Sequence, residues 1–194
     1  DGVWVVSAHG REEHSMNTYG IIILAALLLE YGLGILSDWL NGRNASETVP
    51  PTFRDVYAED AYARSQAYLK ASTRFGLFSS TVSLVAVLGF WFGGGFVWLD
   101  AGVRSVATSP ILQGILFIGF LGAARFLISL PFSVYSTFVI EQRFGFNRTT
   151  WRTFVLDRVK AIGLAVFLGV PLLAAVLGFF DVAGPSAWLC CWAA

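Results

Sequence analysis

Apolar residues in this chain fall in long unbroken runs, neither alternating as in a half-buried strand nor confined to one stripe of a helix. Four runs reach the roughly 20 residues a helix needs to cross a bilayer: residues 19–40, 76–99, 111–140 and 161–180. A fifth, "AWLCCWAA", begins at Ala187 and reaches Ala194. A lipid-facing half-span would leave backbone groups unpaired in hydrocarbon at several kcal/mol each, so the chain is expected to be a piece of something longer. The pattern predicts an all-α integral membrane protein: a multi-span helical bundle of four spans plus the start of a fifth, with helical loops on the cytoplasmic side.

Composition agrees. With 56% hydrophobic and only 13% charged residues, the chain is built for a lipid bilayer as its solvent. Basic and acidic residues balance at 13 each, so nothing in the charge points to nucleic acid as a partner.

Where the charges fall says more. The segment 41–75 holds Arg43, Arg54, Arg64, Lys70 and Arg74, and the segment 141–160 holds Arg143, Arg148, Arg152, Arg158 and Lys160. The opposite side has Arg11 and Arg104. Basic residues near span ends stay cytoplasmic, so the N-terminus is expected outside and both long loops inside. The triplets "NAS" at Asn44 and "NRT" at Asn147 then lie on the cytoplasmic side and are expected to be unglycosylated.

Residues 1–15 precede the single methionine, Met16, and read as a tag or other non-native tail; residues 16–194 read as a transmembrane domain. The tail carries both histidines, in "HGREEH". A zinc-peptidase helix uses HExxH, which puts two ligands on one face with the base between them. Here His9 and His14 lie about 140° apart on a helix, and Gly10 follows His9, so no metal is expected there. Adjacent Cys190 and Cys191 are read as packing residues rather than a disulfide.

Within the spans, Gly89 and Gly93 of "GFWFGGGFVW" have the small-xxx-small spacing that lets helices approach closely. A phosphate loop is excluded because no Lys-Ser/Thr follows. Glu30 and Arg125 are charged at mid-span, roughly 16 Å and 21 Å from the outer ends at 1.5 Å per residue. Intramembrane charges face a bundle interior or a watery cavity, so the two either pair or line a polar chamber.

Beyond Pro50 and Pro51, Tyr57, Ala61, Tyr68 and Phe75 recur at near-helical spacing, predicting a helix that runs into the second span. In the stretch from Leu130 to Lys160, "LPFSVYSTFVIEQRFGFNRTTWRTFVLDRVK", Pro131 marks a kink and residues 145–147 a turn. Asn147 or Thr149 then caps a new helix through Trp151, Phe154, Val155 and Arg158. This is a helical elbow on the cytoplasmic side.

That stretch resembles the corresponding segment of the type I CaaX prenyl protease family of integral-membrane zinc metallopeptidases. "VPPTFRD" followed by "YARSQAYLKASTRFG", and "GVPLLAAVL", resemble the family's first cytoplasmic loop and fourth span. The resemblance implies a helical membrane barrel around a water-filled chamber, with a zinc site toward the cytoplasm, in a bacterial inner membrane or an endoplasmic reticulum and nuclear envelope type of membrane. It implies peptide or membrane-protein substrates, including prenylated CaaX tails, and zinc in the full-length protein. No residue here matches the family's HExxH or its later glutamate ligand, so no catalytic or metal residue is carried over, and the domain is expected to stop before the catalytic region. What carries over is a scaffold signature, Phe138, Glu141, Phe144, Gly145, Phe146 and Asn147, expected to pack against the missing catalytic domain. The alternative is a non-catalytic membrane scaffold or chaperone-like protein.

Overall fold

The structure, a computed structural model, describes residues 17–44, 49 and 58–184. The tail with His9 and His14, the Pro50–Pro51 pair, and the run holding Cys190 and Cys191 lie outside the described residues. The described residues form helices joined by short turns, with no strand among them.

Helix α1, Thr18–Asn44, starts where Asn17 Oδ1 accepts a hydrogen bond from the Gly20 N–H at 2.7 Å, filling one of the donors that every helix start leaves free. Arg43 in its last turn sits favourably at the negative end of the helix dipole and lies 4.7 Å from the centre of the Trp39 ring.

Helix α2, Glu59–Phe92, carries Glu59 and Asp60 in its first turn, where negative charge is favoured. Its 34 residues extend about 51 Å, against about 30 Å of hydrocarbon. The loop helix therefore runs unbroken into the second span, as the spacing of its aromatics predicts. The end of that span differs from expectation. Instead of reaching Leu99, α2 stops at Phe92, residues 93–94 form a turn with Gly94 at φ +73°, and a separate helix α3, Gly95–Val106, follows. Consecutive glycines offer no side chain to hold a helix, and a left-handed φ is open to Gly at no steric cost. Gly93 thus lies in a turn, and a Cβ on Gly89 would meet nothing within 4 Å, so Gly89 receives no neighbouring helix. Helix α3 buries Leu99 and Val103, continued by Ala107, on one face and leaves Trp98 and Val106 outward. Its polar side holds an ion pair, Arg104 Nε to Asp100 Oδ2 at 2.7 Å, which raises the guanidinium above its ordinary range.

Helix α4, Pro110–Tyr135, opens on a proline, whose missing N–H costs nothing at a helix start. Pro131 lies inside it, and just past this proline the backbone widens into a π-helical segment, Ser136–Glu141. Helix α5, Trp151–Leu164, widens in the same way over Ala165–Gly169 ahead of Pro171, and α6, Val170–Ala183, follows. A proline ring clashes with the carbonyl four residues back, which for Pro171 is that of Phe167, inside the second widened segment, and a wider turn there is a common accommodation. Four continuous helical stretches are long and apolar enough to cross a membrane, Thr18–Arg43, Glu59–Phe92, Pro110–Glu141 and Trp151–Ala183.

The chain divides into two units. One comprises the described residues up to Phe90 together with Val134–Phe146. In it, α1 meets α2 through Tyr31 and Thr81, whose oxygens are 2.6 Å apart, and α2 meets the end of α4 through Phe75 stacked on Tyr135 at 4.8 Å. The other comprises Trp91–Ser133 and the described residues from Asn147. There, Trp91, Phe96 and Phe117 form a ring cluster with centroid separations of 6.2 and 6.4 Å, and Gly114 seats the Leu177 side chain. Few apolar side chains are buried by the chain itself, while Leu29 and Phe167 are 64% and 76% exposed. In hydrocarbon such residues need no core to hide in, and packing relies on small residues and interhelical hydrogen bonds.

Candidate functional site

The elbow is built by its backbone. After Glu141 the chain closes on itself through hydrogen bonds from Phe144 N–H to Ile140 O, Gly145 N–H to Gln142 O, and Phe146 N–H to Glu141 O at 2.9 Å. Reversal at this point requires Gly145 at φ +78°, a value that costs most other residues about 1–2 kcal/mol. Asn147 Oδ1 then accepts from the Thr149 N–H at 2.6 Å, an Asx turn. The helix cap is neither Asn147 nor Thr149, as the sequence suggests, but Thr150, whose hydroxyl accepts from the Thr153 N–H at 3.2 Å. Thr150 is extended in backbone with its side chain aimed at the first turn of α5.

The aromatic residues of the elbow have a partner in this chain. Tyr68 of α2 meets Phe144 edge-on at 5.8 Å and Phe146 at 4.8 Å, geometries favoured by ring quadrupoles. Five of the six signature residues, Phe138, Glu141, Phe144, Gly145 and Phe146, lie in the same unit as Tyr68; Asn147 lies in the other. Phe138 is half-buried on the π-helical segment. The role of Tyr68 was hidden in the sequence, where it reads as one more aromatic on an interfacial helix.

Beside this clamp lies a groove of about 330 Å³ between α2 and the end of α4. Arg74 and Arg143 line it, and apolar walls come from Phe75, Phe78, Tyr135 and Val139. Neither arginine has a carboxylate partner among the described residues. The spacing of Arg74 and Phe78, one helical turn apart, is the signal that could have pointed to it.

Glu30 lies in α1 and Arg125 in α4, in different units, each on an exposed position of its own helix. Among the described residues no cluster of three His, Cys, Asp or Glu side chains is placed to hold a metal ion.

Residues 38–194 match the profile of a family described as CAAX prenyl protease N-terminal, five membrane helices. The chain belongs to this family. The matched stretch takes in both long loops and the elbow. The chain is 27% identical over 187 residues to the CAAX prenyl protease 1 homolog of Dictyostelium discoideum, covering 91% of this chain and 43% of that protein. It is 29% identical over 180 residues to the CAAX prenyl protease 1 of Saccharomyces cerevisiae, covering 87% and 40%. Its fold matches the crystal structure of S. mikatae Ste24p with a TM-score of 0.75 at 29% identity, over 83% of this chain and 39% of that one. The chain thus spans less than half the length of the relatives it matches.

Proposed function

We propose that this chain is the N-terminal membrane-chamber domain of a zinc-dependent membrane endopeptidase with CaaX protease-like activity, its catalytic motif lying outside this sequence. What supports the reading is the family match over residues 38–194, joined to a fold likeness that takes in only 39% of the solved relative. Amide hydrolysis by such an enzyme needs a metal to activate water and a base to take its proton. The described residues do not fit a metal, so no step of that chemistry is assigned to them. Their part is to form the membrane wall and to present a turn, set by Gly145 and packed on Tyr68, on which a catalytic domain seats. The substrate class is a prenylated peptide or a membrane protein.

Metal analysis and a peptide-cleavage assay on two lengths test this. The 194-residue chain is expected to hold no stoichiometric zinc and to cleave nothing. The chain extended through a downstream HExxH is expected to bind one zinc and to show chelator-sensitive cleavage of a prenylated CaaX peptide. Stoichiometric zinc in the shorter form, or an extended reading frame without HExxH, overturns the proposal and leaves a membrane scaffold.

In the same reading Glu30 and Arg125 are a charge pair or two groups lining a polar chamber. Glu30→Gln and Arg125→Gln separate these: a double variant that costs less than the sum of the singles indicates pairing, and strict additivity indicates independent contact with water.

A further inference from the structure

The groove bounded by Arg74 and Arg143 is amphipathic along its length. On α2 the polar half of the helix gives way to the apolar run at Gly76, and on the chain leading from α4 the apolar run gives way to charge at Glu141. Both boundaries meet at this groove. Its cations come from Arg74 and Arg143, while Phe78, Tyr135 and Val139 belong to the apolar runs 76–99 and 111–140. Cations therefore lie at the water side of an apolar slot that opens along the hydrocarbon.

Arginines near a membrane surface often do no more than extend their charge toward water. Three features here go beyond that. Two guanidinium groups line one cavity. No carboxylate among the described residues neutralises either one. Arg143 is also held over the Phe144 ring, 5.8 Å from its centre, and Phe144 is fixed in turn by Tyr68, so one of the two donors is pre-positioned. A volume of about 330 Å³ lies at the lower end of what accepts a small ligand. Planar guanidinium forks match phosphate oxygens in pairs.

We propose that this groove is a binding site for one anionic phospholipid, its phosphate held between Arg74 and Arg143 and the start of an acyl chain laid against Phe78, Tyr135 and Val139. The stacked pair of Phe75 and Tyr135 forms the floor that sets the depth of the headgroup. The occupant is a lipid rather than a soluble anion because the apolar part of the slot continues the surface of two membrane-crossing helices.

Native mass spectrometry of the 194-residue chain, released from nanodiscs of phosphatidylcholine containing a minor fraction of phosphatidylserine, tests this. One phosphatidylserine per chain is expected to be retained in preference to phosphatidylcholine. Arg74→Gln and Arg143→Gln are each expected to weaken retention about tenfold, the scale of one charge-assisted hydrogen bond, while Arg74→Lys and Arg143→Lys keep most of it. Arg104→Gln, which breaks a pair with Asp100 elsewhere, is expected to change nothing, and circular dichroism confirms that each variant is folded. Should a variant fail to fold, titration of the unmodified chain with the two lipids still decides the question. Equal retention of both lipids, an equal loss in Arg104→Gln, or displacement of the lipid by inorganic phosphate would overturn the proposal. So would retention by this chain but not by a longer polypeptide that contains it, which would place protein in the groove.

Discussion

The hydroxyl of Tyr31 on α1 donates to Thr81 Oγ1 on α2 at 2.6 Å, joining positions 50 residues apart. The direction follows from chemistry: Thr81 has one proton, and it is given to the Leu77 carbonyl at 2.7 Å, so Tyr31 must be the donor. In a membrane, where apolar surface gives helices little reason to associate, such a bond helps fix which faces meet.

The two partners are therefore not equivalent. Tyr31→Phe removes the donor and leaves Thr81 bonded to Leu77, with an expected cost of about 0.5–1 kcal/mol. Thr81→Val strands the Tyr31 hydroxyl and is expected to cost about 1–2 kcal/mol. Reversible unfolding in mixed micelles measures both, and equal effects would show that the two partners are equivalent after all.

Gly114 on α4 makes a close helix contact. A Cβ there would stand 2.6 Å from Leu177 Cδ1 and 3.3 Å from Cδ2. Because the obstacle is the end of a flexible side chain, Gly114→Ala is expected to cost at most about 1 kcal/mol. Gly114→Leu is expected to cost about 1–3 kcal/mol, as overpacking does. Leu177→Ala combined with Gly114→Leu is expected to recover part of that loss, which a thermal melt in detergent would register.

At the elbow, Gly145→Ala places a side chain at φ +78° and is expected to destabilise by about 1–2 kcal/mol. Gly145→Asn is expected to cost less, since Asn tolerates left-handed backbone. Tyr68→Ala removes the ring between Phe144 and Phe146 and is expected to raise protease sensitivity at residues 144–149 specifically. Cleavage mapped by mass spectrometry would show whether the clamp or the turn holds the elbow.

Orientation is tested by labelling. Ser65, Arg148 and Ser109 are all exposed, with the first two in the basic segments. In a background with Cys190 and Cys191 replaced by Ser, Ser65→Cys and Arg148→Cys are expected to resist an impermeant thiol reagent in intact cells, and Ser109→Cys is expected to react. The reverse pattern would invert the topology drawn from the basic residues.

Much of this protein follows from its sequence because the bilayer is a demanding solvent. Runs of 20 or so apolar residues can only be helices there, so the four spans, the helical run of α2 into the membrane and the turn at Gly145 are all legible without coordinates. The family was legible too, in the wording of two loops and a fourth span. What the tertiary structure decided is rotation and choice among neighbours. Lipid-facing and protein-facing sides of a span are equally apolar, so no periodicity announces that Tyr31 meets Thr81 or that Gly114, rather than Gly89, receives a neighbour. Asn147, Thr149 and Thr150 are all good caps by type, and only the backbone leaving Gly145 selects Thr150. Arg74 and Arg143 are distant in sequence and read as two of ten basic loop residues. They share a groove only because α2 and the end of α4 pack through Phe75 and Tyr135, a contact made in space and not in the chain.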